Sequence, residues 1–461
     1  MMSRPFPACF AVFLLIASFA PGITAAAETS RPKLLIIAPE AFVSALDEFV
    51  RHKQQTLPTR VEALENVLQT GAGADAPEKL KRHLYDKWRT EAFGYVLLVG
   101  DVDRMPVRYM VLDRITPAAF DYAFYPSDLY YSDLAGPDGS FNDWNRRKES
   151  FHGGYFGEVR GERNKEEPIN FDEVDYLPDI AVGRWPVSTP EELARVAAKT
   201  IRYEKAVRAG EGAGLRNAAL FGVDGWVDTR ALMHRLADKL SARWQVHRRL
   251  YGNLPGRPRT PPPGHEQLIA LFNEGLGLAL HTGHGQPGSW EKCFSIRDMD
   301  RMTNTAVLPV IMSAGCSTAS FAPLAPYDAY VDVNGKEHAG TDNKEVFTEP
   351  PPPPAPIQTG RFNPTGLGEQ VLKRNDRGGV AYIGCNTGSQ PCALTLLEGF
   401  VDAVARPGER RLGDCWTNAI RHYVSAERLA TLKPSDGWYP PSIFFQGMKF
   451  MLFGDPSLPL P

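Results

Sequence analysis

The sequence predicts an α/β fold built on a largely parallel sheet. Several short apolar runs recur along the chain, and turn residues followed by helix-like patterns separate them. Continuous apolar runs, unlike alternating ones, are typical of strands buried on both faces of a parallel sheet. Strands that alternate with helices indicate right-handed crossovers between parallel neighbours. The predicted strands cover residues 33–38, 95–101, 180–184, 218–224, 276–281, 307–313 and 379–384.

Two of the intervening helices can be placed from the sequence. Pro190, Glu191 and Glu192 form a typical helix start, because proline suits the first turn and acidic residues complement the helix dipole there. The helical pattern then continues through residues 200–204. A second helix is predicted over residues 230–242.

The first residues have the composition of an export signal. Arg4 precedes an apolar run at 8–20, and small residues follow at 24–27. This is the order of a cleaved signal peptide, and the run is short for a membrane span. We therefore expect a signal peptide at 1–27, a secreted or periplasmic protein, and no stable membrane insertion after signal cleavage.

The rest of the chain is long enough for two lobes of ordinary size. Gly210 and Gly212 interrupt a charged helix end, so we place a boundary there. Residues 28–210 would form an N-terminal α/β lobe, and residues 211–461 a C-terminal lobe of similar build that carries the chemistry. Within the second lobe, Glu349 and five consecutive prolines lie in a segment, residues 327–363, that we expect to be a proline-rich surface insertion.

Composition limits the partners. The formal net charge is −3 and the chain has no strongly basic run, so nucleic acid is not an expected partner. The acidic, turn-rich residues 137–143 have oxygens that could hold a structural Ca²⁺; a solvated turn is the alternative. No other cofactor is expected.

Cysteine usage leaves two alternatives open. Of the six cysteines, Cys9 lies in the predicted signal, which leaves five in the mature chain. An odd number in an exported protein indicates one unpaired thiol, and Cys385 and Cys392 are close enough in sequence to form a disulfide. The alternative is that all five are free thiols inside a large core.

Two strand ends carry chemically reactive residues. His284 and Gly285 follow one predicted strand, and Cys316 follows the next. Sites in open parallel sheets form beyond the carboxyl ends of strands, and adjacent strands lie about 4.8 Å apart. The thiol and the imidazole can therefore share one crevice as a nucleophile and its acid/base partner. The amides of Gly285 and Cys316 would donate to the developing oxyanion. His281 is expected to pack against its strand.

At these residues the chain resembles the caspase-like cysteine peptidases, and more fully the gingipain family among them. The matching motifs are residues 282–285 with Trp290, residues 314–316 with Phe321, and residues 453–458. The resemblance covers nearly the whole mature chain. It implies a caspase-like three-layer α/β/α fold with two similar lobes, and an exported endopeptidase with a Cys–His dyad.

The resemblance also implies roles for four further residues. Asp224 stands where the family has an acid that orients the histidine, although well-known members carry Glu. Asp228 is the nearest counterpart of the aspartate that binds basic side chains in the S1 pocket; a helix N-cap is the alternative, since Thr229 opens a helix. Ser389 and Gln390 stand where arginine-cleaving members have a tryptophan over that pocket, and we expect them to contact substrate.

The predicted function is hydrolysis of peptide bonds in polypeptide substrates through a thioester acyl-enzyme, with a basic residue before the scissile bond as an expectation. Two alternatives use the same fold. One is a catalytically silent binding or scaffold protein, because fold does not imply function. The other is a transpeptidase that transfers the acyl group to an amine.

Overall fold

The computed structural model describes residues 33–113, 122–145, 174–212, 214–252, 260–348, 351–432 and 446–461. The predicted signal peptide lies outside these residues. The strands are β1 (Lys33–Ala38), β2 (Thr59–Ala63), β3 (Phe93–Val99), β4 (Tyr109–Asp113), β5 (Tyr122–Pro126), β6 (Ala181–Trp185), β7 (Asn217–Gly222), β8 (Gln245–Leu250), β9 (Leu278–Thr282), β10 (Gly285–Gln286), β11 (Ser289–Trp290), β12 (Phe294–Ser295), β13 (Val310–Ser313), β14 (Tyr330–Val331), β15 (Glu337–His338), β16 (Ala381–Cys385) and β17 (Phe450–Phe453).

The helices lie mostly between consecutive strands. They are α1 (Glu40–Val43), α2 (Asp47–Gln54), α3 (Leu64–Thr70), α4 (Ala76–Glu91), α5 (Leu129–Ser132), α6 (Pro190–Ala209), α7 (Arg230–Leu240), α8 (His265–Glu274), α9 (Leu367–Lys373), α10 (Ala393–Ala405) and α11 (Leu412–Ala426). The alternation of strands and helices confirms the predicted α/β class.

A single ten-stranded sheet organises the described residues, in the order β2-β1-β3-β6-β17-β16-β13-β9-β7-β8. Every neighbouring pair is parallel except β16 and β17. The sheet therefore has two parallel halves that run in opposite directions and meet where β17 pairs with β16. The boundary predicted near residue 210 lies between α6 and β7, and β17, from the end of the chain, adjoins the first half. The division into two domains remains a prediction.

Helices cover both faces of the sheet. Along β1, Leu35 and Ile37 belong to one apolar core, whereas Leu34 and Ile36 belong to the other. This alternation follows from the two-residue period of a strand. Residues of α4, α7, α10 and α11 pack in the first core, and residues of α2, α6, α8 and α9 pack in the second. The result is the predicted three-layer α/β/α arrangement.

Helix α6 begins and ends as the sequence indicates. The Thr189 side chain accepts a hydrogen bond from the Glu192 N–H at 3.3 Å, and Pro190 occupies the first turn. Such a cap satisfies one of the main-chain donors that a helix start leaves free. The helix ends at Gly210, whose φ of 65° is a left-handed conformation favoured by glycine.

The predicted insertion at 327–363 is folded where the structure describes it. Tyr330 is fully buried, and the Gln358 side chain both accepts from and donates to the main chain of Val331. Main-chain hydrogen bonds attach the segment to the loop between β3 and β4, from Val107 to Pro356 at 3.0 Å and from Gln358 to Val102 at 3.1 Å. The insertion therefore packs as an ordered part of the molecule.

Candidate active site

The candidate site lies at the carboxyl ends of three adjacent parallel strands. Strand β9 pairs with β13 on one side and β7 on the other, and Ser313 lies opposite His281. The loops after these strands carry Gly225, His284 and Cys316, and all three residues line one pocket. The prediction that the histidine and cysteine loops follow neighbouring strands is confirmed, and strand ends are where sites form in such sheets.

The histidine and cysteine loops are in close contact. A Cβ atom on Gly285 would lie 2.7 Å from the Cys316 carbonyl oxygen and 2.5 Å from Cγ2 of Thr318. Gly283 has a φ of 117°, and a Cβ there would lie 2.5 Å from the Val223 carbonyl oxygen. Only glycine allows backbones to approach this closely. The glycines beside the reactive residues are therefore what lets the loops form one site.

The thiol and the imidazole both face the pocket, which has a volume of about 120 Å³. The Ser389 N–H lies 3.3 Å from Sγ of Cys316. The His284 N–H donates to the Asp224 carbonyl oxygen at 2.9 Å, which fixes the histidine loop on the loop after β7. Within the described part of the chain, the structure shows no hydrogen bond between Sγ and the imidazole. Catalytic contacts of this kind often tighten only when substrate binds.

Two main-chain amides beside the sulfur are available as donors. The Glu291 N–H donates to the His284 carbonyl at 3.0 Å, and Gly285 lies opposite Trp290. Gly285 is therefore at a non-hydrogen-bonded position of the antiparallel ladder, and its N–H points away from β11. Among the described residues, no group accepts the Cys316 N–H. Both amides can donate to a negatively charged oxygen, as an oxyanion hole requires.

The residue after the nucleophile has an unusual conformation. Ser317 has a φ of 55°, in the left-handed region that most non-glycine residues avoid. Its N–H donates to the Thr387 carbonyl oxygen at 2.7 Å, which anchors the loop to the segment after β16. Strain of this kind is concentrated at functional sites, where the surrounding structure holds it in place.

His281 lies beneath the cysteine loop. Its ring is fully buried and stacks on Trp290, with ring centroids 4.4 Å apart and an interplanar angle of 1°. Nδ1 is 2.8 Å from Oγ of Ser313, and that oxygen accepts the Gly315 N–H at 3.2 Å. Burial lowers the pKa of His281 to about 3. The ring is thus a neutral support for the loop, in agreement with the expected packing role.

The pKa of His281 predicts an acid-sensitive stability. Its folded-state pKa, about 3, is below the ordinary value of 6.5, so the unfolded chain binds a proton between these values and the folded chain does not. Stability should fall as the pH decreases from 6.5 towards 3. Between pH 7 and pH 5 we expect the wild type to lose about 2 kcal/mol more unfolding free energy than His281→Phe. Urea unfolding at both pH values measures this; equal losses in the two proteins would contradict it.

Asp224 contacts the histidine loop through its main chain. Its carbonyl oxygen accepts the His284 N–H, as described above, whereas its carboxylate is exposed and accepts the Gly225 N–H at 3.0 Å. The structure does not bring this carboxylate to the imidazole ring. A role for the Asp224 side chain in orienting His284 remains a prediction.

Asp228 lies beside the pocket without lining it. Its two carboxylate oxygens bind the Arg230 guanidinium at 2.9 and 2.7 Å, and one of them also accepts the Arg230 N–H at 3.0 Å. This is a bidentate ion pair combined with a contact at the start of α7. The geometry resembles the alternative of a helix-start residue more than that of a carboxylate facing substrate.

Ser389 and Gln390 both line the pocket. Ser389 contacts the sulfur through its main chain, and its hydroxyl is buried without a hydrogen-bond partner in the described structure. The Gln390 N–H donates to Oε1 of Gln446 at 3.0 Å. These positions agree with contact to substrate, which remains a prediction.

Several lining residues were not identified from the sequence. They are Trp226, Val227, Thr229, Pro391 and Leu394. Each lies within a few positions of a predicted site residue. This closeness in sequence was the one feature that could have identified them. Most of these side chains are apolar and carry no reactive group that would mark them in the sequence.

Cys316 differs from the other thiols in its surroundings. All five cysteines from Cys293 onward are free thiols, which supports the second alternative of the sequence analysis. Burial raises the pKa of Cys385, Cys392 and Cys415 to about 12, and that of Cys293 well above its ordinary value. Reactive cysteines are accessible and easily ionised, whereas buried ones are inert. Only Cys316 lines the pocket.

Two further features of the described ranges concern metal binding and membrane crossing. These residues hold no group of three or more His, Cys, Asp or Glu side chains arranged to bind a metal ion. Ca²⁺ at residues 137–143 remains a prediction. The same ranges contain no helix of the length and apolarity that a membrane crossing requires.

Sequence comparison relates the chain to known peptidases. The sequence model of peptidase family C25 matches residues 27–461 of this chain. Gingipain R2 of Porphyromonas gingivalis is 22% identical over 306 residues, which are 65% of this chain and 34% of that protein. An uncharacterized protein of Archaeoglobus fulgidus is 24% identical over 385 residues, or 75% of this chain and 73% of that one. The chain thus spans about a third of the length of gingipain R2.

Solved structures share the fold. The complex of the Porphyromonas gingivalis RgpB pro- and mature domains superposes with a TM-score of 0.58 at 18% identity, covering 92% of this chain and 79% of that one. The Arg specific cysteine proteinase gingipain R gives a TM-score of 0.58 at 17% identity, with coverages of 93% and 78%. The caspase-like fold expected from the sequence is confirmed.

Proposed function

Since the chain belongs to peptidase family C25, we propose that it is a cysteine-type endopeptidase whose nucleophile is Cys316 and whose acid/base group is His284. One observation carries the proposal: His284 and Cys316 line a single pocket, and the histidine and cysteine loops touch at Gly285, beside the sulfur. This set of groups is what thiol-dependent acyl transfer needs.

The first half of the reaction forms a thioester. His284 takes the proton from Sγ of Cys316, and the sulfur attacks the carbonyl carbon of the scissile bond. As the C–S bond forms, the carbonyl oxygen becomes an oxyanion that accepts hydrogen bonds from the amides of Gly285 and Cys316. The oxyanion then collapses, the C–N bond breaks, and His284 gives its proton to the leaving amine.

The second half releases the acid. A water molecule attacks the thioester and loses a proton to His284, the C–S bond breaks, and the sulfur recovers its proton. The Ser389 N–H at 3.3 Å from Sγ would stabilise the thiolate in both halves. No outside oxidant or reductant is needed.

Export is the second part of the proposal. Arg4, the apolar run at 8–20 and the small residues at 24–27 support a signal peptide at 1–27 and a secreted or periplasmic peptidase. A basic residue before the scissile bond is not part of the proposal, because Asp228 is held by Arg230 beside the pocket.

The test joins labelling to activity. Iodoacetamide at pH 7 is expected to add one equivalent to Cys316, because Cys293, Cys385 and Cys415 are buried and a raised pKa keeps all four other thiols protonated at that pH. Loss of peptide cleavage should follow the extent of this label, measured by mass spectrometry of tryptic peptides. Cleavage that persists after complete alkylation of Cys316 would refute the proposed nucleophile.

Product analysis separates the alternatives. With an added amine nucleophile, a hydrolase yields mainly the free acid, whereas a transpeptidase yields mainly the amide. Failure of Cys316 to react near neutral pH would instead favour a silent binding protein.

A further inference from the structure

The pocket beside Cys316 has no carboxylate among its described lining residues that could pair with a basic substrate side chain. Its described lining residues include no Asp or Glu, and His284 is the only titratable one besides the thiol. Its apolar lining residues include Val227, Pro391 and Leu394. An apolar wall with a few neutral polar groups is typical of a pocket that selects by shape and desolvation.

The two acidic residues between β7 and α7, in the segment that contributes Val227 to the pocket, both make contacts elsewhere. Asp228 directly follows Val227 in the chain, yet its carboxylate holds Arg230 through two side-chain contacts of 2.9 and 2.7 Å. The exposed Asp224 carboxylate accepts the Gly225 N–H. A guanidinium or ammonium group entering the pocket would lose its water without gaining a carboxylate partner, which costs free energy. A protonated His284 would add repulsion.

Exposed apolar surface is concentrated at the same place. The described residues leave four large hydrophobic side chains exposed, and two of them, Trp226 at 73% and Val227 at 40%, line this pocket. Apolar surface on a pocket rim marks a place where an apolar partner binds. The exposed rim therefore adds apolar surface to the apolar lining of the pocket.

The size of the pocket limits the occupant. Its volume of about 120 Å³ is slightly below the ~150 Å³ of an engineered apolar cavity that binds benzene. A branched aliphatic side chain or a single aromatic ring is of this size. An indole is larger, and an alanine would leave much of the wall uncovered.

We propose that this pocket binds the side chain that precedes the scissile bond, and that it selects an uncharged, apolar side chain of about the size of leucine or phenylalanine. The proposal rests on the function proposed above and assigns its substrate class: polypeptides cleaved after medium-sized apolar residues. Val227, Pro391 and Leu394 are the specificity-determining residues.

Matched fluorogenic peptides test it. They differ only in the residue before the scissile bond, which is Leu, Phe, Ala, Arg, Lys or Asp, and kcat/KM is measured for each with the full-length protein. We expect Leu or Phe to exceed Arg and Lys by at least about tenfold, since even one methylene more or less in an apolar pocket changes kcat/KM about 10- to 200-fold. Arg or Lys as the best substrate overturns the inference and leaves the proposed function standing. Cleavage of none of the peptides, together with no reaction of Cys316, overturns both.

A charge introduced in the wall tests the pocket itself. Leu394→Asp is expected to raise kcat/KM for Arg and Lys relative to Leu by about tenfold or more, because a carboxylate then pairs with the cation. Leu394→Asn has the same shape without the charge and should keep the order of the six peptides. Thermal melting is the check that both variants fold. An unchanged order in Leu394→Asp, with the variant folded, overturns the assignment of this pocket.

Discussion

Cys316→Ala is expected to abolish peptide-bond cleavage while the protein stays folded. The sulfur is the only thiol among the described lining residues, and its half-exposed position means that its removal leaves no buried cavity. Removal of a catalytic nucleophile costs on the order of 10⁴- to 10⁶-fold in kcat. The measurement is kcat/KM on a fluorogenic peptide, with thermal melting as the check on folding.

The matched control is Cys392→Ala. This thiol lies at the start of α10, close to the pocket, and burial raises its pKa to about 12. Its removal should leave kcat/KM within a few-fold of the wild type. His284→Ala should lower activity by a similar order as Cys316→Ala, and the double variant should be no worse than either, because residues that act as one unit are not additive. Substantial cleavage by Cys316→Ala would place the nucleophile elsewhere.

Glu204→Ala is expected to destabilise the protein by about 3–5 kcal/mol, the usual cost of removing one partner from a buried ion pair. The Glu204 carboxylate is fully buried and binds Nζ of Lys53 at 2.5 Å and Nε2 of His52 at 2.9 Å. Nζ of Lys53 also lies 2.7 Å from Asp455. Burial opposes ionisation, but Lys53 and His52 hold the pKa of Glu204 below its ordinary value. Removal of the carboxylate leaves a buried ammonium with a single acidic partner.

Urea unfolding at pH 7 measures the loss. The control is Lys205→Ala, since Lys205 is exposed on the same helix and directly follows Glu204; surface substitutions of this kind usually change stability little. Equal midpoints for wild type and Glu204→Ala would mean that this cluster contributes no net stability.

Much of the sheet could be predicted because most of its strands are buried on both faces. Every predicted strand lies in the ten-stranded sheet, with ends shifted by a few residues. The strands that were missed include β2 and β8, which form its two edges. Edge strands face solvent, so their sequences are charged and short of apolar residues, as in Gln245–Leu250. They resemble loops when only the sequence is considered.

The order of the strands could not be predicted, because it depends on contacts between distant parts of the chain. Strand β17 pairs with β16 and β6, and β6 is more than 250 residues earlier in the sequence. Local patterns contain no information on such pairings. The antiparallel junction that they create was therefore not expected.

The candidate site was predicted where chemistry and position coincide. His284 and Cys316 are reactive residues directly after buried strands, and they line one pocket as expected. The environment of Asp228 depends on the orientation of one side chain, that of Arg230, which no sequence pattern specifies. The neutral character of the pocket likewise follows from the absence of a carboxylate among its described lining residues, and is visible only once the fold has assembled them.

The central position of β17 has a consequence for synthesis on the ribosome. This strand lies between β6 and β16 and is translated after both. Until β17 is available, the edges of β6 and β16 that it pairs with therefore stay unpaired. Such edges are templates for wrong pairing with other chains. A nascent chain of this architecture is thus most exposed to aggregation in the interval before β17 emerges.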